Sequence, residues 1–513
     1  MSQAAVPTGY GRLFLRGNQM TTEDTILQRV TGSLDVLLRL GEQFGGLFPS
    51  MIDRATRQMV ADAPEPIPGQ RGGDRSYRGS NLIHDEATLL TMYGLAEALN
   101  RPDYEVAADR YLERFATHCT ATVSGLFPWG EHSYWDLERD CVGDGQWHRD
   151  PERRGQAVHD HLRAAPQWLW DKLSGFNPRC LETFAEGLDN HWSTNELASA
   201  NELDSTRKPG EPLEYIRHGL IEQREYHPRG ARSCDFPRHG GFFIVDWACA
   251  FRATGRQDFL EQIRRMVDYW WPKRDERDLL LLESRSPEED ERFYGTNAPG
   301  QTLSLAVSLL EAAPLLTDDE PQLAATMAER ATAYIDGFLR APHDLDQGIF
   351  VIHSKRDGNT VFEKMPVWGS VYGIWPASYV ALTCLLGYRQ TGDERLLSWA
   401  RAAGERYAEE PIPAGVQAPA MDAGLGLGLL ADLYDVTGEA TWLCSAMTLA
   451  ESLLKIYYPD VDGSRADLPV GAAGIDWYES QMGPGFLLHG LARTALLNRG
   501  PDACPLAADY TAR

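Results

Sequence analysis

The most regular helical pattern in the chain is Asn81-Leu-Ile-His-Asp-Glu-Ala-Thr-Leu-Leu-Thr-Met-Tyr-Gly-Leu-Ala-Glu-Ala-Leu99. Its apolar residues recur at intervals of three and four positions, which is typical of a helix with one buried face, and Asn81 is suited to cap the first turn. The turn Asn100-Arg-Pro-Asp-Tyr104 leads into a second amphipathic pattern over about residues 105–119. Together these segments predict a helical hairpin.

The same unit recurs along the chain. A helix, a short turn carrying Thr-Gly and a second helix can be read around residues 250–259, 387–396 and 433–442. The hairpins are predicted to begin near residues 82, 157, 239, 297, 372 and 421, and a closing helix at 480–498 pairs with an N-terminal helix at 24–43.

Divergent helical hairpins either stack as an open solenoid or close into a ring. Six hairpins and a closing helix favour an all-α protein with an (α/α)6 toroid, also called a six-hairpin barrel, and long functional loops. The open solenoid is the structural alternative. We expect residues 1–80 to form an N-terminal helix and an extended arm packed on the barrel, 81–500 a single catalytic toroid, and 501–513 a C-terminal tail.

Composition excludes several classes of function. The 513 residues carry 74 acidic and 49 basic side chains, a net charge of −25, which argues against a nucleic-acid-binding surface. The sequence contains no apolar run of about 18 residues, so we expect no membrane partner. Scattered cysteines and no readable signal peptide predict a cytoplasmic protein. The expected partners are an oligosaccharide substrate and, in an oligomer, further copies of the chain; neither a cofactor nor a metal is expected.

Two His-Asp pairs are candidate catalytic groups. His84-Asp85 opens the first predicted inner helix, and His159-Asp160-His161 opens the second. Carboxylates at these positions are predicted to face the mouth of one barrel, where glycoside hydrolysis needs one carboxylic acid to protonate the leaving oxygen and another to activate water. Capping is the alternative role, because acidic residues stabilise the first turn of any helix.

The loop over residues 125–136 concentrates aromatic and acidic side chains. Exposed rings would stack on sugar faces while the acids and the imidazole bind hydroxyl groups. The residues concerned are Trp129, Glu131, His132, Tyr134, Trp135 and Asp136. Alternatively, such a loop closes one end of a barrel as a small core of its own.

A second loop, 229–241, is rich in arginine inside an otherwise acidic protein. Arg232, Arg238 and His239 can build a positive pocket, and the planar fork of arginine suits a carboxylate such as that of a uronic acid. An ion pair that fixes the loop to Asp235 is the alternative. Weaker candidates stand where other inner helices should begin: Tyr294, Asn297, Trp368, Tyr372, Asp422 and Trp477-Tyr478-Glu479.

His84-Asp85, the apolar helix after it and the Arg-Pro-Asp-Tyr turn resemble the opening of the unsaturated glucuronyl hydrolases. More broadly, the chain is similar to the bacterial α/α-toroid β-glucuronidases and related enzymes that process uronic acids. The resemblance implies that aspartates on inner helices carry catalysis. Asp85 then matches the His-Asp position of that family, and Asp160 is the proposed partner.

These observations give a leading hypothesis, an exo-acting glycoside hydrolase that removes a terminal uronic acid of the glucuronic type. Asp85 and Asp160 would serve as acid and base, with Glu131 as a substitute for either. The predicted substrate-binding residues are His84, Trp129, His132, Tyr134, Trp135, His159, Arg232, Arg238, His239, Trp368 and Tyr478.

Three alternatives stay open. A polysaccharide lyase would cleave uronates by β-elimination, with Tyr134, His132, His239 and Arg238 as base and neutralising groups. A sugar epimerase would use histidines and an arginine in the same cavity. A helical-repeat scaffold would bind protein on a concave face and need no small-molecule cavity.

Overall fold

The computed structural model describes residues 21–145, 155–160, 162–194, 212–215, 217–224, 236–283, 294–355, 357, 359–369, 375–461, 463 and 466–513. Within these residues, six helices form an inner ring. They are α2 (Leu82–Ala98), α6 (Pro237–Thr254), α8 (Pro299–Leu316), α10 (Ala377–Thr391), α12 (Ala420–Thr437) and α14 (Pro484–Arg499). From α6 onwards each helix packs on the next in this order, and α14 packs on α2. Loops and short helices separate α2 from α6.

Six further helices form an outer layer, each paired with one inner helix. They are α1 (Thr22–Gly41, on α14), α3 (Pro102–Arg114), α7 (Gln257–Trp270), α9 (Pro321–Arg340), α11 (Glu394–Glu409) and α13 (Ala440–Tyr457). The architecture is therefore an (α/α)6 toroid, which confirms the predicted fold class and excludes the open solenoid. None of the helices in the described residues has the length and apolar character needed to cross a membrane.

Burial separates the two layers. The inner helix α8 is buried over almost its whole length, whereas α7 buries one stripe, from Phe259 to Trp270, at intervals of three and four residues. This is the pattern expected for helices enclosed on all sides and helices that face water on one. Glycine allows the closest approach in the ring: a Cβ on Gly424 of α12 would lie 2.3 Å from the backbone of Leu487 in α14.

The second predicted hairpin, at 157–190, contains two helices, but they begin later than predicted. His159 lies on a two-residue strand, Asp160 follows it in an extended connection, and only then do two short helices begin, α4 (Gln167–Phe176) and α5 (Cys180–Gly187). These helices pack between α3 and α6. The sixth inner helix is instead α14, which the sequence had assigned to closure. Pro166, directly before α4, favours extended backbone and delays the helix.

Short strands lie in the loops at one end of the ring. Their bounds are β1 (Met51–Asp53), β2 (Gln58–Met59), β3 (Gly79–Ser80), β4 (Ser133–Asp136), β5 (Cys141–Asp144), β6 (Val158–His159), β7 (Trp192–Thr194), β8 (Pro212–Tyr215), β9 (Gly219–Leu220), β10 (Leu281–Glu283), β11 (Tyr294–Asn297), β12 (Val351–Lys355), β13 (Val361–Lys364) and β14 (Trp477–Glu479). They pair antiparallel in the orders β14-β1-β2, β10-β11-β12-β13, β3-β4-β5, β6-β9 and β7-β8. The pair β3-β4 anchors the aromatic loop directly before α2.

Candidate functional site

The N-terminal ends of several inner helices meet around Arg163. This residue lies in the connection between β6 and α4, and its guanidinium donates to the carbonyl of Ile83 at 3.1 Å and to Sδ of Met421 at 3.1 Å. The same group lies 4.6 Å above the ring of Phe486. One arginine therefore contacts the first turns of α2, α12 and α14, at the mouth of the ring.

A second arginine, Arg238, stands in the first turn of α6. Its guanidinium lies 4.5 Å from the ring centre of Trp375, and that indole stacks on Tyr379 of α10 at 5.9 Å with only 8° between the planes. The Tyr379 hydroxyl donates to Sδ of Met421 at 3.0 Å, so both arginines share one aromatic and thioether surrounding.

Both guanidinium groups are buried without a counter-ion in the described part of the chain. Arg163 is 4% exposed and Arg238 7%. No carboxylate among the described residues forms an ion pair with either, and Nε of Arg238 has no hydrogen-bond partner there. Burial lowers the pKa of Arg238 to about 10 and also lowers that of Arg163. Because an isolated buried charge is costly, this arrangement favours an anionic ligand.

Two carboxylates adjoin these arginines. The backbone N–H of Glu131 donates to Oδ1 of Asp160 at 2.7 Å, and Arg217 forms ion pairs with Glu131 and, at 3.3 Å, with Oδ2 of Asp160. Gly130 makes this approach possible: its φ is 103°, and a Cβ there would lie 2.1 Å from the carbonyl oxygen of Asp160. Glu131 and Asp160 also raise the pKa of Arg238 against the effect of burial, so the acidic pair lies within electrostatic range of this arginine.

His132 joins the acidic pair to a third carboxylate. Its Nδ1 lies 3.0 Å from Oδ1 of Asp74, and Nε of Arg71 donates to Oδ2 of the same residue at 2.6 Å. Arg71 also pairs with Glu131. Three acids are thus balanced by two guanidinium groups and one imidazole.

These surroundings shift the titration of the cluster in opposite directions. Burial raises the pKa of Glu131 well above its ordinary value, and the charges of Asp74 and Asp160 act in the same direction. Burial opposes protonation of His132, but Asp74, Asp160 and Glu131 outweigh it and raise its pKa to about 9. Burial lowers the pKa of His218, whose ring lies 4.9 Å from that of His132. A charged and a neutral imidazole therefore stand side by side.

The cluster also contains donor sets that a divalent cation could use. His132, Asp160 and His218 bring one ligand atom each to within 4.8 Å of one another, as do Asp74, Glu131 and His132. Arg217 and Arg71 already oppose these carboxylates, so the cationic position is taken by guanidinium. The set fits a metal only if both arginines withdraw.

Asp85 is buried in the first turn of α2 and bonds to the outer helical layer. Its Oδ2 accepts a hydrogen bond from the hydroxyl of Tyr111 at 2.9 Å, so the side chain points towards the outer helix α3. Burial raises the pKa of Asp85 to about 8. The neighbouring His84 is fully buried, and burial lowers its pKa. Asp85 therefore joins the two helical layers.

The aromatic rings of the loop 125–136 do not form the exposed sugar-stacking surface that was predicted. Trp129 and Tyr134 have no exposed surface and Trp135 has 7%. Trp129 donates to Nε2 of His159 at 2.8 Å, and the Nδ1 atom of that imidazole lies 2.9 Å from Nε2 of His191. These residues instead match the alternative prediction for the loop, because they form a core that closes the end of the ring.

The remaining candidates fall into three groups. His239, in the first turn of α6, packs between Phe236 and Phe242. Trp368 donates to the carbonyl of Glu410, and Tyr478 on β14 is completely buried, so both hold the fold together. The predicted residues Arg232, His161 and Tyr372 lie outside the described residues.

Sequence reasoning missed several residues that the structure brings to the site, among them Arg71, Asp74, Arg163, Arg217, His218, Trp375 and Tyr379. Arg163 follows the His159-Asp160-His161 motif within two residues, and Tyr379 lies shortly after the inner-helix start predicted near residue 372. Arg71 and Arg217 lie in segments without periodicity, where the sequence gives no signal of spatial convergence.

Comparisons with known proteins give structural similarity only. No family model matches the chain, and no curated protein sequence matches it. A sugar epimerase from a ruminal bacterium is similar over 94% of this chain and 99% of its own, with 11% identity and a TM-score of 0.46. An unsaturated glucuronyl hydrolase from Bacillus sp. GL1 is similar over 93% and 97%, with 13% identity and a TM-score of 0.43. A GH76 α-mannanase from Bacteroides thetaiotaomicron is similar over 64% and 81%, with 16% identity and a TM-score of 0.38.

Proposed function

We propose that the protein is a carbohydrate-processing enzyme, an exo-acting glycoside hydrolase that removes a terminal uronic acid. The observation that carries this proposal is the pair of buried guanidinium groups, Arg163 and Arg238, which have no carboxylate partner among the described residues. Guanidinium binds carboxylate through two parallel hydrogen bonds, and the gain is largest where water is excluded.

The neighbouring aromatic rings support a sugar as the carrier of that carboxylate. Trp375 keeps part of its surface exposed and stacks on Tyr379 beside Arg238. An aromatic face suits the C–H face of a pyranose, and the adjacent guanidinium suits its carboxylate.

Glu131 and Asp160 are the proposed catalytic pair. Burial raises the pKa of Glu131 above its ordinary value, and in this proposal its carboxyl group donates a proton to the leaving glycosidic oxygen. Asp160 would then act on water or on the anomeric carbon, while Arg217 holds both carboxyl groups in position. In this proposal Asp85 has no catalytic role, in contrast to the expectation from the family resemblance.

A second candidate, β-elimination, is favoured by one observation. His132 and His218 are adjacent imidazoles with pKa values shifted in opposite directions. Neutral His218 could remove the proton at C5 of a uronate, charged His132 could protonate the departing oxygen, and the arginines would neutralise the carboxylate.

The test is a panel of aryl glucuronides and uronic-acid oligosaccharides, with the wild type and the Glu131→Gln, Asp160→Asn and His218→Gln variants. Hydrolysis releases the aryl alcohol and creates no double bond, whereas elimination creates an unsaturated ring that absorbs ultraviolet light. We expect hydrolysis that Glu131→Gln and Asp160→Asn abolish. Absorbance that depends on His218 would establish elimination instead. A folded wild type that neither binds nor turns over any uronide would refute both.

A further inference from the structure

The last ten residues of the sequence, 504–513, run through the inside of the helical ring. Leu506 fills the space beside Gly94 of α2 and accepts through its carbonyl from Arg493 of α14. The Tyr510 hydroxyl donates to Asp432 of α12 at 2.6 Å and accepts from Arg389 of α10 at 2.7 Å.

The segment ends against the two remaining inner helices. Arg513 pairs with Glu311 of α8 through both of its terminal nitrogens, and its guanidinium lies 5.8 Å from the ring of Phe242 in α6. Thr511, Ala512 and Arg513 are all buried. Segment 504–513 therefore touches every helix of the inner ring.

One contact joins this segment to the proposed anion site. The N–H of Ala164 donates to the carbonyl of Thr511 at 3.0 Å. Ala164 directly follows Arg163 in a connection with no regular secondary structure, between β6 and α4. The hydroxyl of Thr511 lies 3.4 Å from Oε2 of Glu86, the residue after Asp85 in α2. The backbone next to Arg163 is thus fixed from the inside of the ring.

Two carboxyl groups lie where segment 504–513 meets α2 and the backbone beside Arg163. Glu86 and Asp509 are both buried, and Oε1 of Glu86 and Oδ2 of Asp509 have no other hydrogen-bond partner among the described residues. Burial and the charge of Asp509 raise the pKa of Glu86 well above its ordinary value. Asp509 and Glu86 are also among the groups whose charge acts on Arg163.

We infer that segment 504–513 is a positioning element for Arg163: docked inside the ring, it fixes the backbone of this arginine and sets the local charge, and so determines the affinity for the anionic group of the substrate. This inference rests on the proposed function. Among the described residues, segment 504–513 forms no hydrogen bond or ion pair with Glu131 or Asp160, so its effect should fall on substrate binding and leave the chemical step largely unchanged.

The experiment compares the wild type with a chain that ends at Ala508 and with the double variant Tyr510→Phe/Arg513→Ala, which loosens the segment without removing it. Asp502→Asn, an exposed acid just before the segment, is the control. Glucuronate affinity is measured by calorimetry, and KM and kcat are measured with a uronide substrate. Hydrogen exchange of the Ala164 amide reports whether segment 504–513 is docked. If the shortened chain does not fold, the double variant gives the same comparison.

We expect the shortened chain to lose glucuronate affinity by about tenfold to a hundredfold, because a misplaced binding group costs that much. KM should rise with kcat nearly unchanged, and the Ala164 amide should exchange faster. Adding a synthetic peptide of residues 504–513 should restore the glucuronate affinity, the KM and the slow exchange of the Ala164 amide. Unchanged affinity and KM in variants whose Ala164 amide is exposed would overturn the positioning role and leave the proposed function standing. A wild type that does not bind glucuronate would overturn the proposed function, and this inference with it.

Discussion

The amide N–H of Glu131 donates a hydrogen bond to Oδ1 of Asp160 across 2.7 Å. The two residues come from segments about thirty positions apart, so this bond joins the two segments that carry the proposed catalytic carboxyl groups. It exists because Gly130 lets the loop pass against the backbone of Asp160.

The first prediction concerns Gly130→Ala. A Cβ at this position would lie 2.1 Å from the Asp160 carbonyl oxygen, and φ is 103°, where side chains are strained. We expect the free energy of unfolding to fall by about 1–3 kcal/mol or more and kcat to fall further than KM changes. Urea unfolding and steady-state kinetics measure both.

Gly428→Ala is the matched control, because a Cβ at this glycine of α12 has open space around it. It should stabilise the helix by up to about 1 kcal/mol with activity unchanged. Equal effects of the two substitutions would show that Gly130 is not needed for the approach to Asp160.

The second prediction distinguishes the roles of Glu131, Asp160 and Asp85. Glu131→Gln and Asp160→Asn should each lower kcat by about a hundredfold to ten-thousandfold, because each removes a group that transfers a proton or attacks the substrate. Asp85→Asn should leave kcat within about threefold of the wild type, since the amide can still bond to Tyr111. Loss of activity in Asp85→Asn alone would favour the role implied by the family resemblance.

The contrast between these acids shows what the sequence could predict. The helical ring could be predicted because apolar periodicity is local, although the second hairpin begins later than expected and α14 provides the sixth inner helix. The position of Asp85 at a helix start was also local information, but its direction depends on where Tyr111 of α3 stands. Asp160 was predicted on a helix and instead follows a strand, yet it reaches Glu131 through a glycine turn that only tertiary structure reveals.

The third prediction concerns the pH dependence of stability. Burial raises the pKa of Asp85 to about 8, whereas an aspartate in an unfolded chain ionises near about 3.9. Between these values the folded protein retains a proton that the unfolded chain has released. The free energy of unfolding should therefore fall as pH rises, by up to about 1.4 kcal/mol per pH unit from this group.

Asp85→Asn should remove this contribution. We expect the variant to gain stability relative to the wild type as pH rises through this window, and no further above it, in urea unfolding at a series of pH values. Asp502→Asn, which changes an exposed acid in the same way, should give a curve parallel to that of the wild type. A parallel curve for Asp85→Asn as well would mean that Asp85 is ionised in the folded protein.

The fourth prediction follows from the buried charges of Arg163 and Arg238. Neither has an acidic partner among the described residues, so each costs stability in the absence of ligand. Arg238→Met should raise the free energy of unfolding of the ligand-free protein and lower glucuronate affinity by about tenfold or more. Thermal unfolding with and without glucuronate measures both effects in one experiment.

Arg264→Met is the control for loss of an arginine, because Arg264 forms an exposed ion pair with Glu320 on the outer layer. Its removal should change stability by less than about 1 kcal/mol and leave the ligand effect intact. In the wild type, glucuronate should raise the melting temperature, since it binds only the folded state, and Arg238→Met should lose most of that increase. If Arg238→Met destabilises the ligand-free protein, then the guanidinium is structurally satisfied and the argument for an anion at this position fails.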